Sequence, residues 1–240
     1  MRVRLLCLCL VGVLGASVAA PPSKSVEAIL YRPTFDTSLG RVEAGTASCV
    51  QLEGVSRPVI LTALHLFGPA GGLAQDIAPG QLAKTVHGYN LQPIGPGRAL
   101  AGSAGTALSL PAQAGDIAAF WCPDKVKLKP LRLGAMPRKG DPVWLAAQVV
   151  GGAPEEQLLH PATYQGLHEG MLVFVYKNSG LELRATSGAP ILNSSGQLVG
   201  INYGGGSEDG HLVGLANPVS RFGPPLLKAA RSSQPGGHPR

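Results

Sequence analysis

Apolar residues in this chain fall in short runs broken by glycine, proline and small polar residues, and helical spacing is absent until near the end. Residues 45–52, 58–63, 115–121, 171–176, 189–192, 197–203 and 211–219 are the clearest runs. Each is apolar or β-branched and bounded by turn formers, as strands are. Residues 128–133 and 141–150 read as further strands, and weak strand signals lie at 84–89 and 107–110. Asn193-Ser194-Ser195-Gly196 separates two of the strong runs and supplies the residues a tight turn needs. Residues 222–231 predict a short closing helix, and residues 232–240 a disordered tail. Residues 68–115 are rich in Gly, Ala and Pro, and no repeat of fixed period occurs. The pattern predicts an all-β protein with many turns.

The first residues follow a different logic. Arg2 and Arg4 precede an apolar stretch from Leu5 to about Val13, and small residues lead to Ser17-Val18-Ala19-Ala20. This is the layout of a secretory signal peptide, predicted to span 1–19 with cleavage after Ala19, because Pro21 is a poor first residue. The apolar run is short beside the roughly 18 residues a membrane span needs; an uncleaved anchor is the alternative. The expected localisation is secreted or periplasmic, with no stable membrane span after cleavage. Residues 20–40 read as a polar leader, and 41–231 as the folded domain, dividing into two lobes near 125–140.

Composition adds limits. The formal charge is +6. Without Arg2 and Arg4, 18 basic residues face 14 acidic ones, a scattered net +4. The cluster Lys125, Lys127 and Lys129 and the pair Arg138-Lys139 lack the interleaved aromatics of a nucleic-acid site and read as solvated strand faces; no nucleic-acid partner is expected. Of four cysteines, Cys7 and Cys9 lie in the signal. Cys49 and Cys122 remain, enough for one disulfide in an exported protein; two buried free thiols are the alternative. Two distant cysteines and histidines without ligand spacing predict no metal site and no cofactor.

Three segments carry candidate chemistry. A serine hydroxyl needs a base within hydrogen-bond reach, an orienting partner for that base, and N–H donors aimed at the developing oxyanion. Leu61-Thr62-Ala63-Leu64-His65 runs a strand into a small-residue turn and ends on a histidine. Gly115-Asp116-Ile117-Ala118 puts an acid just before a buried strand; Asp76, Asp124 and Asp141 compete but lead less directly into one. Thr186-Ser187-Gly188-Ala189-Pro190 lets the chain turn tightly around Ser187, so that the N–H groups of Ala185 and Ser187 can converge. Taken singly, each segment is also an ordinary strand end or turn. Their order, His then Asp then Ser, distinguishes one triad fold among several.

In that order the segments resemble the chymotrypsin-like (trypsin-family) serine proteases of bacterial type. Thr62-Ala63-Leu64-His65 is similar to the family's Thr-Ala-Ala-His motif, and Asp116-Ile117-Ala118 to its Asp-Ile/Leu-Ala segment. Thr186-Ser187-Gly188-Ala189-Pro190 resembles its nucleophile motif. Gly140-Asp141-Pro142-Val143, Gly196-Gln197-Leu198-Val199-Gly200-Ile201 and Gly214-Leu215-Ala216-Asn217-Pro218-Val219 resemble later strands. The resemblance covers roughly residues 40–222. It implies two six-stranded antiparallel β-barrels with the active site in the cleft between them, Ser187 as nucleophile, His65 as general base and acid, Asp116 as orienting acid, and Ala185 and Ser187 as oxyanion donors. The implied partners are protein or peptide substrates, bound by a monomer. Pocket candidates are Leu181 or Glu182 at the base, Tyr203, Gly204 and Gly205 on one wall and Gly214 on the other. Leu181 would favour apolar side chains and Glu182 basic ones.

Two departures stand out. Ala185 occupies the position where the family usually has an oxyanion glycine. Thr186 replaces the acid that pairs with a new N-terminus in trypsin-like activation, so that route is not expected. The leading reading is an exported serine endopeptidase. A catalytically impaired pseudo-protease acting as a binding module is the alternative that Ala185 motivates. A serine esterase of α/β-hydrolase type is disfavoured, because it wants Gly-x-Ser-x-Gly and the order Ser, Asp, His.

Overall fold

The computed structural model describes residues 20–22, 29–95, 97–103, 105–123 and 130–233. The predicted signal segment, Lys125–Lys129 and all but the start of the predicted tail lie outside these residues.

Fourteen strands form two sheets among the described residues. The first contains β1 (Leu30–Thr37), β2 (Gly40–Val42), β3 (Ala47–Gln51), β4 (Val59–Thr62), β5 (Val86–Pro93), β6 (Leu100–Ser103), β7 (Ala118–Trp121) and β8 (Leu131–Arg132). Its path is β6-β5-β1-β3-β4-β7, with β2 paired to β1 and β8 paired in parallel to β3. A single helical turn, α1 (Leu82–Thr85), leads into β5. The second contains β9 (Pro142–Ala146), β10 (Leu159–His168), β11 (Met171–Tyr176), β12 (Pro190–Leu192), β13 (Leu198–Glu208) and β14 (His211–Pro218). It closes as a barrel in the order β10-β11-β14-β13-β12-β9. The chain ends in α2 (Val219–Ser232).

The architecture is the all-β, two-barrel arrangement that the sequence predicts, with one barrel more open than the other. Residues 107–110, which carry a weak strand signal, make only one bridge, Ala107 to Phe120. Pro111 and the turn at Ala112–Ala114 follow directly. The first sheet therefore curls as a half-barrel, without a ladder from β6 to β7. The sheet also starts inside the segment read as a leader. In β1, Leu30, Tyr31 and Phe35 are buried while Arg32 and Thr34 are only partly so. Pro33 and the polar residues between these anchors mask the strand in the sequence.

Three apolar clusters account for the packing among the described residues. In the first lobe Phe35, Phe67, Tyr89 and Phe120 form an aromatic core, with Phe35 at 4.8 Å from Phe67 and 4.9 Å from Phe120 between ring centroids. Phe174 and Tyr176 pack with Leu145 and Ile191 in the second. The third cluster is shared by the lobes. It joins Val50, Leu61 and Trp121 to Leu192, Leu198 and Ile201, and Phe222, Leu226 and Ala230 of α2 close it. Those three helix residues are spaced four apart and fall on one face. Their burial holds a helix that contains Pro224 and Pro225, each unfavourable in a helix interior. Side chains from both sheets thus meet in one core, which fixes the lobes against each other.

The expected disulfide is absent. Cys49 and Cys122 are free thiols, fully buried, with Sγ atoms 3.6 Å apart, against about 2.05 Å for a bond. Cys49 lies on β3 and Cys122 just beyond β7, on opposite sides of β4. The curl of the sheet brings them to contact across that intervening strand without joining them. The hydrogen bond from Cys122 and burial push the Cys49 thiol well up from its ordinary value. Both thiols should resist a thiol-specific reagent in the native protein and react once denaturant unfolds it. Rapid reaction under native conditions would contradict this packing.

Candidate active site

β4 carries its buried apolar run to Thr62, and Ala63, also fully buried, turns the chain. A short 3₁₀ turn, Leu64–Leu66, follows, closed by the Phe67 N–H to the Leu64 carbonyl at 2.9 Å. Leu66 and Phe67 are buried and anchor the turn, leaving His65 partly exposed. Asp116 grips His65 twice. Its Oδ1 accepts the His65 backbone N–H at 2.7 Å, and its Oδ2 lies 2.7 Å from His65 Nδ1. The acid precedes β7, which pairs antiparallel with β4, so one strand ladder sets both residues. With Nδ1–H given to the carboxylate, Nε2 keeps its lone pair and can accept a proton.

Ser187 comes from the second barrel, just before β12. Its loop is sewn to the first lobe. Thr46 N–H donates to the Ser187 carbonyl at 2.8 Å. Gly188 has φ +84°, and a Cβ there would lie 2.3 Å from the Thr46 carbonyl and 2.4 Å from Thr62 Oγ1. Only glycine allows this approach to the end of β4, three residues before His65. Asn202, fully buried on β13, donates to the Thr186 carbonyl at 3.1 Å and to Thr186 Oγ1 at 3.0 Å. The hydroxyl and the histidine meet at one residue. Ser187 Oγ donates to the Tyr203 carbonyl at 3.1 Å, and the Tyr203 ring lies edge-on to His65 at 5.0 Å. Among the described residues, Ser187 makes no hydrogen bond to His65.

No protein-family model matches the chain, and no curated protein matches it. Solved structures do. A thermostable serine protease, AL20, from an extremophilic microorganism is 13% identical over 87% of this chain and 99% of its own, with a TM-score of 0.59. The Rv3671c protease of M. tuberculosis in its active form is 15% identical over 88% of both chains, at a TM-score of 0.55. A serine endoprotease from Yersinia pestis is 16% identical over 87% of this chain and 65% of its own, at 0.56. The chain has the chymotrypsin-like serine-protease fold.

In the loop before Ser187 one backbone position is unusual. Ala185 sits at φ +63°, in the left-handed region. That conformation costs a non-glycine residue roughly 1–2 kcal/mol. The alanine therefore takes the backbone shape that a glycine would take freely, at the cost of strain. Its carbonyl is heavily used, accepting from Arg32 Nη1 at 2.9 Å and Thr46 Oγ1 at 3.0 Å. Thr186 N–H donates to the Leu183 carbonyl at 3.2 Å and Gly188 N–H to the Asn202 carbonyl at 2.8 Å. Among the described residues the N–H groups on either side of Thr186, those of Ala185 and Ser187, have no acceptor.

The pocket candidates separate into two groups. Leu181 is buried in the core of the second barrel. Gly214 faces Phe174 across the β11–β14 ladder, and a Cβ at Gly214 would lie 2.2 Å from that ring. Glu182 pairs its backbone with Gly151 and its exposed carboxylate with Arg184 at 2.8 Å. Tyr203 is exposed beside His65, and Gly204 and Gly205 continue β13. Gly205 packs against Leu183, which no sequence signal marked; a Cβ on the glycine would lie 2.9 Å from Leu183 Cδ1. β13 pairs with β12 only through Leu198–Ile201 but with β14 as far as Glu208. Beyond Asn202, one edge of β13 thus has no strand partner among the described residues.

Sequence reasoning also missed Arg32 and Thr46. Thr46 sits within a predicted strand, and Arg32 within the supposed leader, where one basic residue carries no signal. Among the described residues, no cluster of three His, Cys, Asp or Glu side chains could hold a metal, and no helix is long and apolar enough to cross a membrane.

Proposed function

We propose that this chain is an exported serine endopeptidase that cleaves peptide bonds through an acyl-enzyme intermediate, with Ser187 as nucleophile, His65 as general base and acid, and Asp116 as the residue that orients His65. The observation that carries the reading is the meeting of Ser187 and the doubly held His65 at Tyr203. A substrate strand adds antiparallel to the free edge of β13 after Asn202, as extended peptides add to exposed sheet edges. Ser187 Oγ turns from the Tyr203 carbonyl to His65 Nε2 and attacks the scissile carbonyl. His65 takes its proton and delivers it to the leaving amine, while Asp116 stabilises the imidazolium. The N–H groups of Ala185 and Ser187 receive the oxyanion. Water then repeats the sequence on the acyl-enzyme. The protein acts as a monomer in the periplasm or outside the cell.

One observation favours the second reading, a pseudo-protease that binds peptides without cutting them: the Ser187 hydroxyl points to Tyr203 and not to His65. Catalytic hydrogen bonds are often long or misaligned without substrate, so the active reading takes precedence. Incubation of the purified protein with an unfolded protein substrate decides between them. Sequencing should find new N-termini within that substrate, and a fluorophosphonate should block their appearance. Binding of the substrate without any new terminus would make the chain a binding module.

A further inference from the structure

Arg32 stands out among the charged side chains that the triad does not use. It lies on β1, half-buried, and burial lowers its pKa. No carboxylate faces it among the described residues. Its guanidinium is instead given to backbone carbonyls and neutral side chains from both lobes. Nη1 donates to Ala185 O at 2.9 Å, Gly45 O at 3.3 Å and Thr46 Oγ1 at 3.4 Å. Nη2 donates to Gln148 O at 3.0 Å and Gln148 Oε1 at 3.4 Å. A planar fork with five donors serves such divergent acceptors, and a lysine ammonium does not reproduce it.

The acceptor that matters is Ala185 O. It belongs to the peptide that joins Ala185 to Thr186, and that peptide is pinned at both ends: its oxygen by Arg32 and Thr46, its N–H by Leu183 O. Rotating Ala185 out of its left-handed conformation would swing this peptide or the one before it. Swinging the first breaks those bonds, and swinging the second turns the Ala185 N–H away from that of Ser187. An alanine returns readily to negative φ once nothing holds it. We propose that Arg32 is a positioning residue of the oxyanion hole, holding the Ala185 carbonyl so that the strained alanine keeps its N–H beside that of Ser187. A cation reaching over from the first lobe thus does for this loop what its own sequence, with alanine at 185 and threonine at 186, does not. The inference rests on the serine-protease reading above.

The test uses the full mature chain and a fluorophosphonate probe of Ser187. In that reaction the Ser187 Oγ–P bond forms, the P–F bond breaks, fluoride leaves, and His65 takes the hydroxyl proton. The phosphoryl oxygen gathers charge in the oxyanion hole. Arg32→Gln should lower the maximal labelling rate by about 10²-fold, as loss of one oxyanion donor does, with the half-saturating probe concentration nearly unchanged. Adding Ala185→Gly to Arg32→Gln should restore the rate to within about tenfold of Ala185→Gly alone, because glycine adopts φ near +63° without the strain that alanine carries. A purely structural arginine would lower thermal stability without this rescue. If Arg32→Gln does not fold, Arg32→Lys, which keeps the charge, should show a smaller loss with the same rescue. A folded Arg32→Gln that labels as fast as wild type, or a loss that Ala185→Gly leaves in place, overturns the role of Arg32 alone. A wild type that never labels brings down the serine-protease reading and this inference with it.

Discussion

Ser187→Ala is expected to reduce peptide turnover by about 10⁶-fold while leaving the fold intact. In serine proteases the nucleophile and its base act as a unit, so losing one member costs nearly as much as losing all. What remains is binding and the oxyanion donors, worth roughly 10³–10⁴ over the uncatalysed reaction. The structural cost is small. The hydroxyl makes one hydrogen bond among the described residues, to the Tyr203 carbonyl at 3.1 Å, and a bond of that kind contributes about 1 kcal/mol. The backbone contacts of the loop, Thr46 N–H to Ser187 O among them, do not involve the side chain. Turnover measured beside a thermal melt separates the two effects. A melting point within a few degrees of wild type with turnover near zero is the expected pair. Retained turnover would move the nucleophile elsewhere.

Asp116→Asn should lower turnover by about 10⁴-fold, the scale on which the wrong imidazole tautomer costs this type of triad. The carboxylate accepts from both the backbone N–H and Nδ1 of His65, at 2.7 Å each. An amide has one acceptor oxygen for those two donors. With that oxygen on the backbone N–H, its NH₂ faces Nδ1, which must then become the acceptor. The ring proton moves to Nε2, where the Ser187 proton has to arrive. The loss should fall on the maximal rate and leave half-saturation nearly unchanged, since Asp116 does not touch substrate. A loss under tenfold would mean that His65 does not depend on Asp116 for its tautomer.

The parts that were legible in the sequence share a physical reason. Strands buried on both faces, β4, β7 and β12, are almost wholly apolar runs and signal themselves. The three triad candidates each adjoin one of these strands. β1 and β10 are half-buried; their buried positions include Pro33 and His160 and alternate with Arg32, Thr34, Pro161 and Thr163, which dilutes the pattern. β6, Leu-Ala-Gly-Ser, has little side chain to read. The sequence left the thiol pair open between a disulfide and two buried free thiols, because whether two sulfurs touch or bond depends on the curl of the sheet across β4. The Ala185 departure was visible as a residue type. Its left-handed backbone and the Arg32 and Thr46 donors on its carbonyl come from long-range packing, 153 and 139 residues apart in sequence, which no local pattern records. Pocket positions were hardest. The resemblance pointed to Leu181 or Glu182 for the pocket base; Leu181 is buried in the barrel core and Glu182 pairs with Arg184, while Leu183 packs against Gly205.

The most direct test of the central claim is the intact mass of the purified mature protein after reaction with a fluorophosphonate. One adduct per chain is expected, found by peptide mapping on Ser187, formed only in the native state and absent from Ser187→Ala. A folded wild-type protein that gains no mass, or an adduct on any residue other than Ser187, would contradict it.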